Sequence, residues 1–265
     1  MNRWISGAIA AALALAFAGT ASASIIFTDF SSTAGLTLNG NAATVGPVLR
    51  LAPSSIGQRG SAFTSSPVGI SSFSSVFTFQ ITNPGGATDG FGQTGADGLT
   101  FTLQSSPAGA GALGAGGGSL GYGGISPSVA VEFDTWFNGA ALDTSSNDLG
   151  VNTNGNLASL QTAALAPQFD NGAIWTAWVD YDGITLEVRT NTTGLRPAAP
   201  TLAQIIDILT TLGTSTAFVG FTAATGAAFG DHDILSWRYD VPEPTALALL
   251  GLGLVALSFT KRQSR

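Results

Sequence analysis

Val129-Ala130-Val131-Glu132-Phe133-Asp134-Thr135-Trp136-Phe137-Asn138, with Asp143 and Asn147-Asp148-Leu149-Gly150-Val151 following it, is the stretch on which the fold turns. Its opening half alternates apolar and polar residues as a strand does, so Glu132, Asp134 and Trp136 share one face. Two carboxylates side by side on a strand repel each other, and a divalent cation is a natural way to relieve that. Beyond the strand, a loop of Gly, Ala, Thr, Ser and Asn carries Asn138, Asp143 and Asp148 and is flexible enough to wrap an ion. Oxygen-only donors of this kind suit a hard cation, above all calcium.

Outward from that strand, the pattern repeats. Ser75-Val76-Phe77-Thr78-Phe79-Gln80-Ile81 alternates and stops at Asn83-Pro84-Gly85-Gly86; Leu99-Thr100-Phe101-Thr102-Leu103 and Trp175-Thr176-Ala177-Trp178-Val179-Asp180-Tyr181 do the same. Asp182-Gly183 joins the last of these to Ile184-Thr185-Leu186-Glu187-Val188-Arg189-Thr190, a strong hairpin signal. Only residues 202–212 show helical spacing, with Leu202, Ile205, Ile206 and Leu209 on one face. Many period-two segments with Gly and Asn turns predict an all-β antiparallel sandwich. The Gly-rich residues 109–124 lie between predicted strands and read as a long loop inside one domain. Trp175, Trp178 and Trp237 read as core residues, and His232, the only histidine, as a structural one.

The 265 residues contain no cysteine, so no disulfide holds the fold. Residues 24–240 hold five arginines against fifteen acids, a formal charge of about −10. Such a surface repels nucleic acid and anionic lipid and favours cations. Nucleic-acid function is excluded on this ground.

The Glu132–Asp148 segment closely resembles the legume lectins and their bacterial relatives. Their metal-binding strand and loop have the spacing seen at Glu132, Asp134, Trp136, Asn138 and Asp143. The resemblance implies a concanavalin-like jelly-roll sandwich over residues 24–240. It also implies calcium held by Asp134, the Trp136 carbonyl, Asn138 and Asp143, and a second metal at Glu132, Asp134 and Asp143. The family's histidine position holds Asp148 here. Losing the imidazole removes the ligand that favours manganese or zinc, which points the second site to calcium or magnesium, or leaves it empty. Ala96-Asp97-Gly98-Leu99-Thr100-Phe101 is similar to the family loop whose Asp follows a cis peptide and accepts hydrogen bonds from a sugar. Gly116-Gly117-Gly118-Ser119-Leu120-Gly121 is similar to the loop in which Gly118 would offer its backbone N–H. Ala227 and Ala228 fall where the family varies its residues to choose a sugar. By this resemblance Asp97 and Asn138 pair with hydroxyls and Trp136 stacks on the sugar ring. Open single-sugar sites bind weakly, so avidity requires several sites, as in a homo-oligomer.

The two ends point to export. Residues 1–23 carry Arg3, an apolar run from Ile5 to Phe17 and Ala21-Ser22-Ala23, the marks of a secretory signal peptide. Val241-Pro242-Glu243-Pro244 is followed by an apolar run from Thr245 to Phe259 and by Lys261, Arg262 and Arg265. That order resembles the PEP-CTERM sorting signal of Gram-negative bacteria. It implies transient anchoring in the inner membrane, processing by an exosortase, and a place at the cell surface or in extracellular polysaccharide. Two other readings of the middle stay open: an adhesive matrix module that reads no sugar, and a glycoside hydrolase. Against the latter, the jelly-roll hydrolases carry Glu-x-Asp-x-Glu, and the fifth position here is Trp136.

Overall fold

A computed structural model describes residues 24–140, 142–143 and 145–242. The expected signal peptide and sorting helix lie outside the described residues. No helix among the described residues is long and apolar enough to cross a membrane.

The strands, in chain order, begin with β1 (Ser24–Phe27), β2 (Leu36–Gly40), β3 (Ala43–Val45), β4 (Val48–Ala52), β5 (Arg59–Thr64) and β6 (Val68–Gly69). The long β7 (Phe73–Gly86) precedes β8 (Gly98–Gln104), β9 (Ser128–Asp134), β10 (Asp148–Thr153) and β11 (Gln161–Ala164). The chain continues through β12 (Trp175–Tyr181), β13 (Thr185–Asn191), β14 (Leu202–Ile205), β15 (Thr216–Ala224) and β16 (Ala228–Asp240). They form two antiparallel sheets. One runs β14-β13-β12-β7-β16-β4-β3, with β1 on the far part of β16; the other runs β11-β10-β9-β8-β15-β5-β2, with β6 on the start of β15. This is the all-β antiparallel sandwich expected from the alternation, in the jelly-roll form that the resemblance implied.

Aromatic side chains fill the space between the sheets. Phe77 of β7 meets Phe221 of β15 edge-on at 5.0 Å, and Phe79 meets Phe133 of β9 at 5.1 Å. Alternation explains these contacts: Phe77, Phe79 and Ile81 are fully buried, while the intervening residues turn outward. The central strands of the second sheet, β8 and β9, are buried on both faces. Residues 109–125 fold across its outer side and place Leu120, Tyr122 and Ile125 in a smaller apolar cluster with Phe63 and Ala130. Strand residues that alternation sends to that side are therefore polar yet enclosed. Thr100 Oγ1 shares hydrogen bonds with Thr102 and Thr222, and Thr222 Oγ1 donates to the Leu120 carbonyl at 2.7 Å.

Two expectations need correction. Residues 202–212 are not one helix: Leu202–Ile205 is β14, paired with β13, and only Ile208–Leu212 is helical. Asp207 starts that turn by accepting from Thr210 N, and Gly213 ends it at φ 69°. The apparent apolar stripe does not face one way, since Ile205 is 76 % exposed. Trp178 is buried but lies outside the main core. Its neighbours Ala177 and Val179 point into that core, so Trp178 packs on the opposite face, across from Arg189.

Candidate functional site

The site lies where β8 begins and β9 ends. β9 stops at Asp134, so Trp136 is not on the strand face with Glu132 and Asp134 but just past its end, half-buried. Trp136 N donates to Asp134 Oδ1 at 2.7 Å, and Asn138 N donates to Asp143 Oδ2. These two bonds coil the backbone back over the strand end. Asn138 Nδ2 donates to the Trp136 carbonyl at 3.2 Å, and the Asn138 side chain is exposed.

Asp97 sits immediately before β8, after a cis Ala96–Asp97 peptide. Its backbone is fixed from both neighbouring strands: Asp97 N donates to the Ala224 carbonyl and Thr135 N donates to the Asp97 carbonyl, both at 3.0 Å. Gly98 N donates to His232 Nε2 at 3.2 Å, so His232 supports this corner and is structural, as expected. Among the described residues, no group donates to either carboxylate oxygen of Asp97, and Oδ2 is buried. Burial pushes the Asp97 carboxyl up to about 7.

Glycine backbone closes the site from the other side. Gly118 belongs to the single turn Gly117–Ser119, and a Cβ there would lie 2.2 Å from Asn138 Oδ1. A Cβ at Gly226 would lie 3.2 Å from Asp97 Oδ2. Gly117 N donates to the Thr225 carbonyl at 3.2 Å, which joins the two glycine turns. Ala227 is exposed, but Ala228 is 1 % exposed and begins β16, so only the first of this pair offers a surface. Gly118→Ala is expected to leave stability within about 0.5 kcal/mol, since the exposed Asn138 amide moves aside, yet to displace that amide from its place. Gly220→Ala is the contrast, because its Cβ would meet the Ala62 carbonyl oxygen at 1.9 Å inside the sheet. Thermal unfolding of both variants checks the difference, and only the second should fold poorly.

Glu132, Asp134, Asp143 and Asp148 are each at most 6 % exposed. Asp134 and Asp148 are paired across β9 and β10, and Glu132 stands opposite Gly150. Burial, then hydrogen bonding and repulsion from Asp143 and Asp148, sets the Glu132 carboxyl, which rises to about 7. Burial, then Glu132 and Asp143, raises Asp134; burial also raises Asp143. The five arginines of the described residues are engaged elsewhere: Arg50 with Asp231 and Asp233, Arg59 with the Gly114 carbonyl, Arg189 and Arg196 with Asp180, Arg238 with Asp240. Carboxylates gathered with none of the described arginines beside them, next to an amide and a carbonyl, are donors that fit a hard cation. Among the described residues no three acidic or histidine side chains close on one point. Protein donors hold them instead: Glu132 accepts from Ser159 Oγ at 2.6 Å and from Asn152 Nδ2.

The legume lectin domain model matches residues 22–248. The chain belongs to the legume lectin domain family. This legume lectin domain is followed by a PEP-CTERM protein-sorting motif over residues 240–263, which indicates export and sorting in a Gram-negative bacterium. The chain is similar to basic winged bean lectin, solved with Tn-antigen, at 29 % identity and a TM-score of 0.70, covering 84 % of this chain and 100 % of that one. It is similar to winged bean acidic lectin, solved with methyl-α-D-galactose, at 26 % identity and a TM-score of 0.70, covering 83 % and 98 %. Among curated proteins it is 34 % identical over 152 residues to the rice (Oryza sativa subsp. japonica) L-type lectin-domain containing receptor kinase SIT2, covering 51 % of this chain and 22 % of that protein. The chain thus spans only the lectin portion of its receptor-kinase relatives' length, less than a third in each.

Several residues with structural roles here were not anticipated. Asp89 Oδ1 accepts from Phe91 N and Gln93 N, both at 2.9 Å, while Oδ2 accepts from Phe137 N at 3.3 Å. It therefore ties the loop before Asp97 to the loop that carries Trp136 and Asn138. Asn152 and Ser159, the partners of Glu132, were also missed. Asn152 could have been found, because it lies on β10 in step with Asp148 and Gly150.

Proposed function

We propose that this protein is an exported carbohydrate-binding lectin, with a neutral sugar held by Asp97, Gly118, Trp136 and Asn138. The observation that carries the reading is Asp97: a carboxylate 4 % exposed, accepting no hydrogen bond from the described residues, placed beside the Gly118 and Gly226 turns. A buried acceptor without a donor costs about 1–3 kcal/mol, and sugar hydroxyls supply the missing donors. Gly118 adds a backbone N–H, Asn138 a side-chain amide, and the half-buried Trp136 an aromatic face for the C–H side of the ring. The solved lectin neighbours crystallised with Tn-antigen and methyl-α-D-galactose support this class of ligand.

Asp134, Asp143, Asn138 and the Trp136 carbonyl would hold calcium, with Glu132 and Asp148 available to a second cation. When bound, calcium supplies the positive charge that Asp134 and Asp143 lack and fixes the Trp136–Asn138 segment. Asp148, in place of an imidazole, makes that second donor set all-oxygen, suited to a hard divalent cation: calcium, magnesium or manganese. The chain acts as a binding module and not as an enzyme, with Trp136 where a sandwich hydrolase needs its second carboxylate. Its place of action is the cell surface or the extracellular polysaccharide, after exosortase processing.

A second reading, an adhesive module that reads no sugar, draws on the β15–β16 loop, where Ala227 offers no polar side chain. A glycan array probed with the purified protein in calcium and then in chelator separates the two. Binding to any glycan that disappears on chelation supports the lectin. Calcium uptake by calorimetry without any glycan binding supports the adhesive module.

A further inference from the structure

On the Phe137 side of the proposed sugar site lies a groove of about 530 Å³ whose lining includes Phe91, Gln93, Ser146, Leu165, Pro167 and Gln168. None of its lining residues carries a charge. Phe91 is 58 % exposed, and its ring packs edge-on against Phe137 at 4.9 Å. Phe137 lies between Trp136 and Asn138 in the chain, so the Phe91 ring joins the wall of the groove to the rim of the first site. The Asp89 carboxylate holds both aromatic loops in place through Phe91 N, Gln93 N and Phe137 N. The side chains of Gln93 and Gln168, both on this lining, accept and donate nothing among the described residues.

Resting on the carbohydrate reading above, we propose that this groove is a second glycan subsite, and that the ligand is an oligosaccharide or polysaccharide chain that continues into it from the Asp97–Asn138 site. Each amide offers a donor and an acceptor to sugar hydroxyls. The exposed face of Phe91 and the Pro167 ring suit the C–H faces of a sugar. An uncharged lining selects a neutral chain over an acidic one, which the protein's negative surface also disfavours. Continuity through the Phe91–Phe137 contact favours further units of the same glycan over an unrelated ligand.

The test measures calorimetric affinities for galactose, N-acetylgalactosamine and glucose, and for di-, tri- and tetrasaccharides built on each. Wild-type protein, Gln168→Ala, Phe91→Ala and Asp97→Asn are compared in calcium. The expected result is a roughly tenfold tighter affinity for the longer chains, lost in Gln168→Ala and Phe91→Ala, with Gln168→Ala leaving monosaccharide affinity unchanged. Affinity independent of chain length, or equal losses for short and long sugars in Gln168→Ala, overturns the subsite and leaves the lectin reading standing. If the wild type binds no sugar of any length, the carbohydrate reading itself fails and the subsite falls with it.

Discussion

Calcium is expected to raise the unfolding temperature of the chelated protein strongly at about pH 8 and weakly near pH 5. The reason is the state of the carboxylates at the end of β9. Glu132 is raised to about 7, with burial the largest cause, and Asp134 and Asp143 are raised by burial too. A carboxyl whose folded value lies above its unfolded one stabilises the fold fully below the unfolded value, near pH 4. That contribution is lost as pH rises through the folded value, here near 7 for Glu132. For Glu132 alone the loss reaches the order of 3 kcal/mol. In chelator the protein should therefore become less stable between pH 5 and 8. A divalent cation displaces the protons and supplies the missing charge, so its stabilising effect grows over the same interval.

His232 works in the opposite sense. Burial holds it down to about 4, so the unfolded chain takes up a proton first as pH falls below about 6.5. Its contribution to stability is lost on the acid side, between about 6.5 and 4. The two effects oppose each other between about 4.5 and 6.5, so His232 blunts the change there, and above about 6.5 only the loss from the carboxylates remains. Differential scanning calorimetry across pH, with and without calcium, reads both. A calcium effect that is the same at pH 5 and pH 8 would remove these carboxylates from the cation site.

Much of this arrangement is legible in the sequence because strand alternation and turn residues are local signals. Phe77, Phe79, Phe101 and Phe133 announce their burial by position alone, and Asp182-Gly183 marks its hairpin. The helical reading of residues 202–212 failed for a physical reason. Leu202, Ile205, Ile206 and Leu209 carry a helical spacing, but β13 offers an open edge, and the Asp207 cap restarts the chain as a helix one turn later. Trp178 misled in the same way, because alternation shows which residues share a face and not which of the two faces is the core. At the site, the spacing from Glu132 to Asp148 was visible because the donors are close in sequence. Asp89 was not, since its partner Phe137 lies 48 residues away and nothing local signals the bond. Asn152 and Ser159 were hidden similarly: the pairing of β9 with β10 brings them to Glu132.

Asp97→Asn is expected to abolish sugar binding and, at the same time, to stabilise the protein at neutral pH and above. In the folded protein the Asp97 carboxylate accepts no hydrogen bond among the described residues and is pushed up to about 7 by burial. Keeping it ionised at pH 8 costs the fold as much as about 3–4 kcal/mol relative to an unfolded chain in which it is solvated. The amide is nearly isosteric and carries no charge, so that cost disappears. Below about pH 4 the carboxyl is neutral in both states, and wild type and variant should unfold at similar temperatures. Binding moves the other way. An ionised acceptor contributes about 1.5–3 kcal/mol per hydrogen bond, and an amide that presents donors to hydroxyls loses that advantage. A loss of about a hundredfold or more in affinity corresponds to removing one to two such bonds. A residue kept for packing would show the reverse pattern, with binding retained and the unfolding temperature lowered. A gain in stability joined to a loss of binding is the pattern of a group held in an unfavourable state until a ligand arrives, which is common where function sets the residue and stability does not. Glycan binding and thermal unfolding measured on the same preparation decide between the two.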